Sequence, residues 1–160
     1  KEVVDFFNNN KNQDILFDKP LLFSESGETK KINTQYRSRK NKWPKFPPTS
    51  CMCFEKKTLE EVLKKIEFKK YPNLGIDFRL AVYYSLILNK FHIHKSHLTY
   101  YRQVKESMDS IYTKDRSIKW WKRREEAFEF LNYILKRNKL PINKGLDFFV
   151  TKLFNNILSI

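Results

Sequence analysis

A nine-residue apolar run, Leu80 to Leu88, broken only by Ser85, sits in a 160-residue chain of net charge +14. So long a stretch without charge must be hidden from water. Asp77 to Phe91 is nearly apolar all round when wound as a helix, which predicts a helix buried against a sheet or other helices. It falls far short of the roughly 20 residues that cross a bilayer. The expectation is a single folded domain with a real core and no membrane partner.

The charge comes from 32 Lys and Arg against 18 Asp and Glu, and it favours an anionic partner. Cys51-x-Cys53 holds the only two cysteines, too few to staple a secreted scaffold. Fourteen Phe and eight Tyr stand beside three Gly and only two alanines, Ala81 and Ala127. Core physics does not demand that bias, since Leu, Val and Ala fill cores equally well. It is the bias of an A+T-rich coding genome, as in an organelle, a parasite or a large virus. No signal peptide is visible, and Lys1 in first position suggests a missing end.

The chain divides by character near residue 55. From Glu28 to Phe46, seven Lys or Arg face one acid, and Trp43-Pro44-Lys45-Phe46-Pro47-Pro48 forbids a helix. Residues 1–55 therefore read as an extended basic arm, with Arg37, Arg39 and Lys42 as its RNA contacts. Residues 56–160 read as the folded domain. Thr58-Leu59-Glu60-Glu61 has the form of a capping box ahead of Leu59, Val62, Leu63 and Ile66. Glu67 to Tyr71 either ends that helix or alternates as a strand. His97 to Val104 and Arg116 to Arg124 suit strands. Glu125 to Lys136 is an amphipathic helix ended by Leu140-Pro141, and Leu146 to Ile157 forms a last helix. The sum is an α+β fold, a small antiparallel sheet packed with helices behind the basic arm, although propensity also permits five helices.

Catalytic and metal readings are weak. His92-x-His94-x-x-His97 and Cys51-x-Cys53 lack the twice-repeated spacing of a zinc site, so neither a metal nor another cofactor is expected. Asp109, Asp115, Glu125 and Glu126 pair with neighbouring cations more readily than with each other. The three glycines, Gly27, Gly75 and Gly145, are isolated and make no phosphate loop. No enzyme is expected.

Lys95 to Arg124 carries nine Lys or Arg against three acids, interleaved with Tyr100, Tyr101, Tyr112, Trp120 and Trp121. Cations neutralise phosphates while rings stack on bases, so this segment points to a nucleic acid. On a strand, Lys119, Trp121 and Arg123 would share one face, two cations flanking a ring.

The spacing here resembles that of a known family. Leu80, Leu88, Phe91, Lys95, Thr99 and Arg102, followed without a gap by Lys119, Arg123, Glu125, Glu129 and Phe130, fall on the motif of the large-subunit ribosomal protein that binds 5S RNA in the central protuberance. Lys65-Ile66-Glu67-Phe68 falls where that family has its first strand, and Leu140-Pro141 lies one residue from the family's Leu-Pro. Ser96 replaces the family's proline, the loop Lys105–Ser117 lacks the family's glycines, and residues 1–55 have no counterpart. The later part of the family fold is also without a counterpart in the chain. The resemblance implies a strand, buried helix, strand, loop, strand and helix in that order. It further implies a structural protein of the large ribosomal subunit, in a mitochondrion given the composition. Lys95, Thr99, Arg102, Lys119 and Arg123 would touch ribosomal RNA, neighbouring ribosomal proteins would flank it, and the Lys105–Ser117 loop would reach towards transfer RNA. Two other readings stay open: another mitochondrial ribosomal protein or assembly factor with a helical core, and a viral or plasmid DNA-binding protein.

Overall fold

The computed structural model describes residues 1–24, 26–31, 45–102, 117–142 and 144–158. Among these residues the fold is α+β, with five α-helices and two small three-stranded sheets. Each sheet is mixed, with one antiparallel and one parallel pair, rather than antiparallel as the sequence suggests. Two compact units divide the chain: Lys1–Ile66 with Arg79–Val104, and Glu67–Phe78 with Lys105–Ile160.

The first unit contains both sheets. Helix α1 (Glu2–Asn9) precedes strand β1 (Ile15–Phe17), which lies between β4 (Met52–Phe54) and β5 (Phe91–Ile93). All three β1 residues are fully buried. A continuous apolar strand is what a sheet covered on both faces requires. On one face Phe6 of α1 stacks against His92, ring centres 4.7 Å apart. On the other, Phe54 meets Tyr84 at 5.9 Å. The second sheet has β2 (Pro20–Phe23) at its centre, with β3 (Thr29–Lys31) antiparallel on one side and β6 (Thr99–Arg102) parallel on the other. Gly27, at φ +83°, closes the β2–β3 hairpin in a backbone region that L side chains avoid.

The described part of residues 1–55 is thus no extended arm. It supplies one α-helix, a 3-10 turn at Thr49–Cys51 and four strands. The short apolar runs Ile15–Phe17 and Leu21–Phe23 are the reason, since they pair with β5 and β6 far away in sequence. The basic residues Arg37, Arg39 and Lys42 lie outside the described residues. So do residues 105–116, nearly all of the loop expected to reach towards transfer RNA.

Helix α2 (Lys56–Leu63) begins ahead of the expected cap. Its N-cap is Glu55, whose carboxylate accepts the Thr58 backbone N–H at 2.8 Å. Thr58 is inside the helix, and its hydroxyl also donates to Glu55 at 2.9 Å. Lys65 to Phe68 follows as turn and irregular backbone, not a strand.

The apolar run forms helix α3 (Ile76–Val82), continued by a π turn over Tyr83–Ile87 in which Leu88 N–H donates to the Tyr83 carbonyl at 3.1 Å. Asn89 then adopts φ +53° and ends the helix. Asparagine tolerates that left-handed conformation better than most residues. Phe91, expected at the helix end, is therefore free to open β5.

The second unit is built on α4 (Ile118–Arg137), a single helix of 20 residues. Residues 118–124 are helical, not the strand expected there. Ser117 caps the helix by accepting the Trp120 N–H, and Trp121, Arg124, Phe128, Leu131 and Leu135 recur at three- and four-residue steps. Tyr71 and Phe78 pack edge-on against Phe130 at 5.6 and 6.5 Å. Glu126 pins the turn before α3 by accepting both the backbone N–H and the side-chain amide of Asn73. Helix α5 (Leu146–Leu158) lies along α4.

Candidate nucleic-acid interface

The second sheet presents one solvated face. Cα pairing sets Lys31, Leu21 and Tyr100 in one row across the three strands, and Thr29, Phe23 and Arg102 in another. Residues two apart along a strand project to the same side, so these six share a face. Tyr100 is 67% exposed there, Lys31, Thr29 and Arg102 are exposed, and Leu21 and Phe23 are half-buried. Phe23 supports Tyr100 edge-on, ring centres 6.4 Å apart. The result is a pair of rings between cations on a rigid strand platform. Such a face can stack unpaired bases on the tyrosine and hold their phosphates with Arg102 and Lys31.

The sequence-chosen residues scatter around this face. Arg102 lies on it. Thr99 lies on the opposite face of β6, where its hydroxyl donates to the Asp18 carboxylate at 2.7 Å. Asp18 is buried, so Thr99 serves the interior rather than RNA. The pairing of β2 with β6 runs without a bulge from Pro20↔Thr99 to Phe23↔Arg102, so the two side chains cannot converge. Lys95 is exposed in the loop between β5 and β6. That loop is tied down by His94 N–H donating to the Phe17 carbonyl at 2.7 Å and Lys19 N–H donating to the Ser96 carbonyl at 3.3 Å.

Lys119, Trp121 and Arg123 belong to the second unit and to a helix, which undoes the shared strand face. Lys119 and Arg123, four residues apart, still lie on one side of α4. Trp121 turns inward, only 7% exposed, and its ring stacks on Phe154 at 4.6 Å and 10°. It has no open face for a base. Trp120 is the half-buried one, with the Arg124 guanidinium 5.1 Å from its ring centre. Lys119 and Lys122 are exposed in the first turns of α4, an end of the helix dipole that disfavours cations.

Tyr100, Phe23 and Lys31 are the residues that sequence reasoning does not select. In the sequence Tyr100 is only one ring within a basic cluster. The alternation of Thr99 to Arg102 places Tyr100 with Arg102, but which side faces water is set by β2 and Asp18, far away in the chain.

His92, His94, His97 and Cys51 are occupied with structure. His94 accepts the Ser96 backbone N–H at 3.1 Å, and the His97 ring lies 3.1 Å from the Lys19 carbonyl. Burial, then the electrostatic influence of neighbouring His94, depress the His92 pKa below its ordinary value. Cys51 is fully buried, and burial, followed by the charge of Asp18, pushes its thiol up to about 12. A thiol so placed is no nucleophile at neutral pH. Among the described residues no group of three His, Cys, Asp or Glu converges as a metal site, and no helix is long and apolar enough to cross a membrane.

No protein family, curated protein or solved structure matches the chain.

Proposed function

We propose that this chain is a non-catalytic RNA-binding component of a ribonucleoprotein particle, and that it holds unpaired RNA on the outward face of the second sheet. The observation that carries this reading is Tyr100, 67% exposed on a paired strand, with Arg102 two residues along and Lys31 across the same row. A large ring left in water on a rigid strand, in a chain of +14, fits stacking and phosphate neutralisation together. The particle proposed is the large subunit of a mitochondrial ribosome, with ribosomal RNA, 5S RNA where one exists, and neighbouring ribosomal proteins as partners. Its support is the ordered spacing of Leu80, Leu88, Lys95, Thr99, Arg102, Lys119, Arg123, Glu125 and Phe130. That support lies in residue spacing rather than element order, since neither Lys65–Phe68 nor Lys119–Arg123 is a strand.

Binding of a labelled single-stranded RNA across a salt series tests the reading. Tyr100→Ala should cost about 1–3 kcal/mol of affinity, the worth of one stacked base. Arg102→Ala should reduce the salt slope by about 0.7, the share of one single-strand phosphate. Duplex DNA bound more tightly than single-stranded RNA, with neither variant affecting it, would support the DNA-binding alternative. Co-sedimentation with large ribosomal subunits in moderate salt tests the particle.

A further inference from the structure

Helix α5 buries two polar residues against α4, beside Phe148 and Phe154, and leaves a row of apolar ones in water. Thr151 and Asn155 are 1% and 4% exposed, whereas Leu146 is 82% exposed and Phe149, Leu153 and Ile157 are each more than half exposed. The exposed four recur at three- and four-residue steps, which makes one stripe along the helix. Phe154 at its edge is also partly exposed.

The inward side explains why the helix does not roll over to hide this stripe. Asn155 donates its amide to the Trp121 carbonyl at 3.0 Å and to the Glu125 carboxylate at 2.6 Å. Arg124 donates to the Thr151 hydroxyl at 3.2 Å and is paired with Asp147. Rolling α5 would strand Asn155, Thr151 and Arg124 together, and a half-satisfied polar network is costly. These bonds hold the stripe outward. Large apolar side chains in one row exceed the scattered exposure normal for a monomer, and such patches mark interaction surfaces.

We propose that this stripe docks an amphipathic helix of another protein, one whose apolar residues are flanked by Asp or Glu. The choice of occupant follows from charge. Asp147 is already paired with Arg124, so the other charges among the described residues 144–158 are the exposed Lys144, just ahead of the helix, and Lys152, beside the stripe with its ammonium 5.1 Å from the Phe148 ring. A second copy fits badly: the stripe is centred between Thr151 and Lys152, so an antiparallel copy would bring Lys152 close to its own counterpart and join two chains of +14. An acidic border on the partner turns the same lysines into ion pairs. Leu146, Leu153 and Ile157 offer RNA no stacking ring and no hydrogen bond, so a row dominated by aliphatic side chains suits a protein partner better. The inference does not depend on the RNA-binding reading, since the stripe carries none of the residues invoked there.

The test uses the full chain and two synthetic helical peptides with leucines at three- and four-residue spacing, one flanked by Glu and one by Lys, followed by fluorescence anisotropy. The Glu-flanked peptide should bind, and the Lys-flanked one should bind less tightly. Lys152→Glu should narrow or reverse that preference, by about threefold for the lost pair. Leu153→Ser with Ile157→Ser should abolish binding of both, with the circular dichroism spectrum unchanged and the melting temperature lowered only slightly, because both residues are more than half exposed. No binding, or binding that ignores Leu153 and Ile157, overturns the proposal. So does a dimer in sedimentation that the double serine variant dissolves, since the occupant would then be a second copy. RNA affinity measured in parallel on the same variants should not move, which separates this result from failure of the RNA-binding reading.

Discussion

Thr99 donates its hydroxyl hydrogen to the Asp18 carboxylate at 2.7 Å, joining the first residue of β6 to the connection between β1 and β2. Asp18 N–H in turn donates to the Cys51 carbonyl at 3.0 Å, so one buried acid ties together chain segments from three parts of the sequence. Thr99→Val keeps the shape and removes the donor. It should destabilise the fold by about 1–3 kcal/mol, the cost of leaving a buried acceptor short of a partner. RNA affinity of the folded variant should be unchanged, in contrast to Tyr100→Ala. Chemical denaturation and RNA titration of the two variants side by side check this. A large loss of RNA affinity in a folded Thr99→Val protein would return Thr99 to the binding face.

Trp121 and Trp120 should behave oppositely despite being adjacent. Trp121→Ala removes a buried ring stacked on Phe154 and should cost about 3–5 kcal/mol of stability. Trp120 is half-buried beneath the Arg124 guanidinium, so Trp120→Ala should cost clearly less. Equilibrium unfolding of the two variants decides the order. Equal losses would mean that the two rings are buried alike.

The cap of α2 should make a small contribution to stability that depends on pH. The Thr58 backbone N–H, then its hydroxyl, hold the Glu55 carboxyl below its usual 4.5. A depressed acid favours the folded state when ionised, so the contribution is complete above the unfolded value near 4.5. It is lost as the pH falls through the lower folded value. Wild type should melt slightly above Glu55→Gln at pH 7, and the gap should close on acidification through that window. A gap that stays constant from pH 7 down to strongly acid solution would rule out Glu55 as the cap.

Much of the helical framework can be read from residues alone. The apolar run Leu80 to Leu88 marks a helix, and the structure buries its first five residues and leaves Ser85 to Leu88 half-buried in and after the π turn. The amphipathic spacing from Ala127 to Leu135 and the apolar content after Leu146 likewise mark α4 and α5. Thr99 to Arg102 is legible as a strand because Thr, Tyr and Tyr favour the pleated backbone.

Tertiary structure decided the rest. Ile15–Phe17 and Pro20–Phe23 are too short to show a period, and they become strands because Met52–Phe54 and Phe91–Ile93 flank the first and Thr29–Lys31 and Thr99–Arg102 the second. The segment Ile118–Arg124 has two tryptophans that suit a strand, yet Ser117 and the continuation of the α4 stripe make it helix. Which side of β6 faces water depends on Asp18, a buried aspartate from a distant part of the chain. Likewise, no periodicity reveals that α5 turns Thr151 and Asn155 inward, because that choice is made by hydrogen bonds to Trp121, Glu125 and Arg124 on another helix. Local sequence determines which backbone a segment prefers. Which face of that segment is buried is determined by partners that only the folded chain brings near.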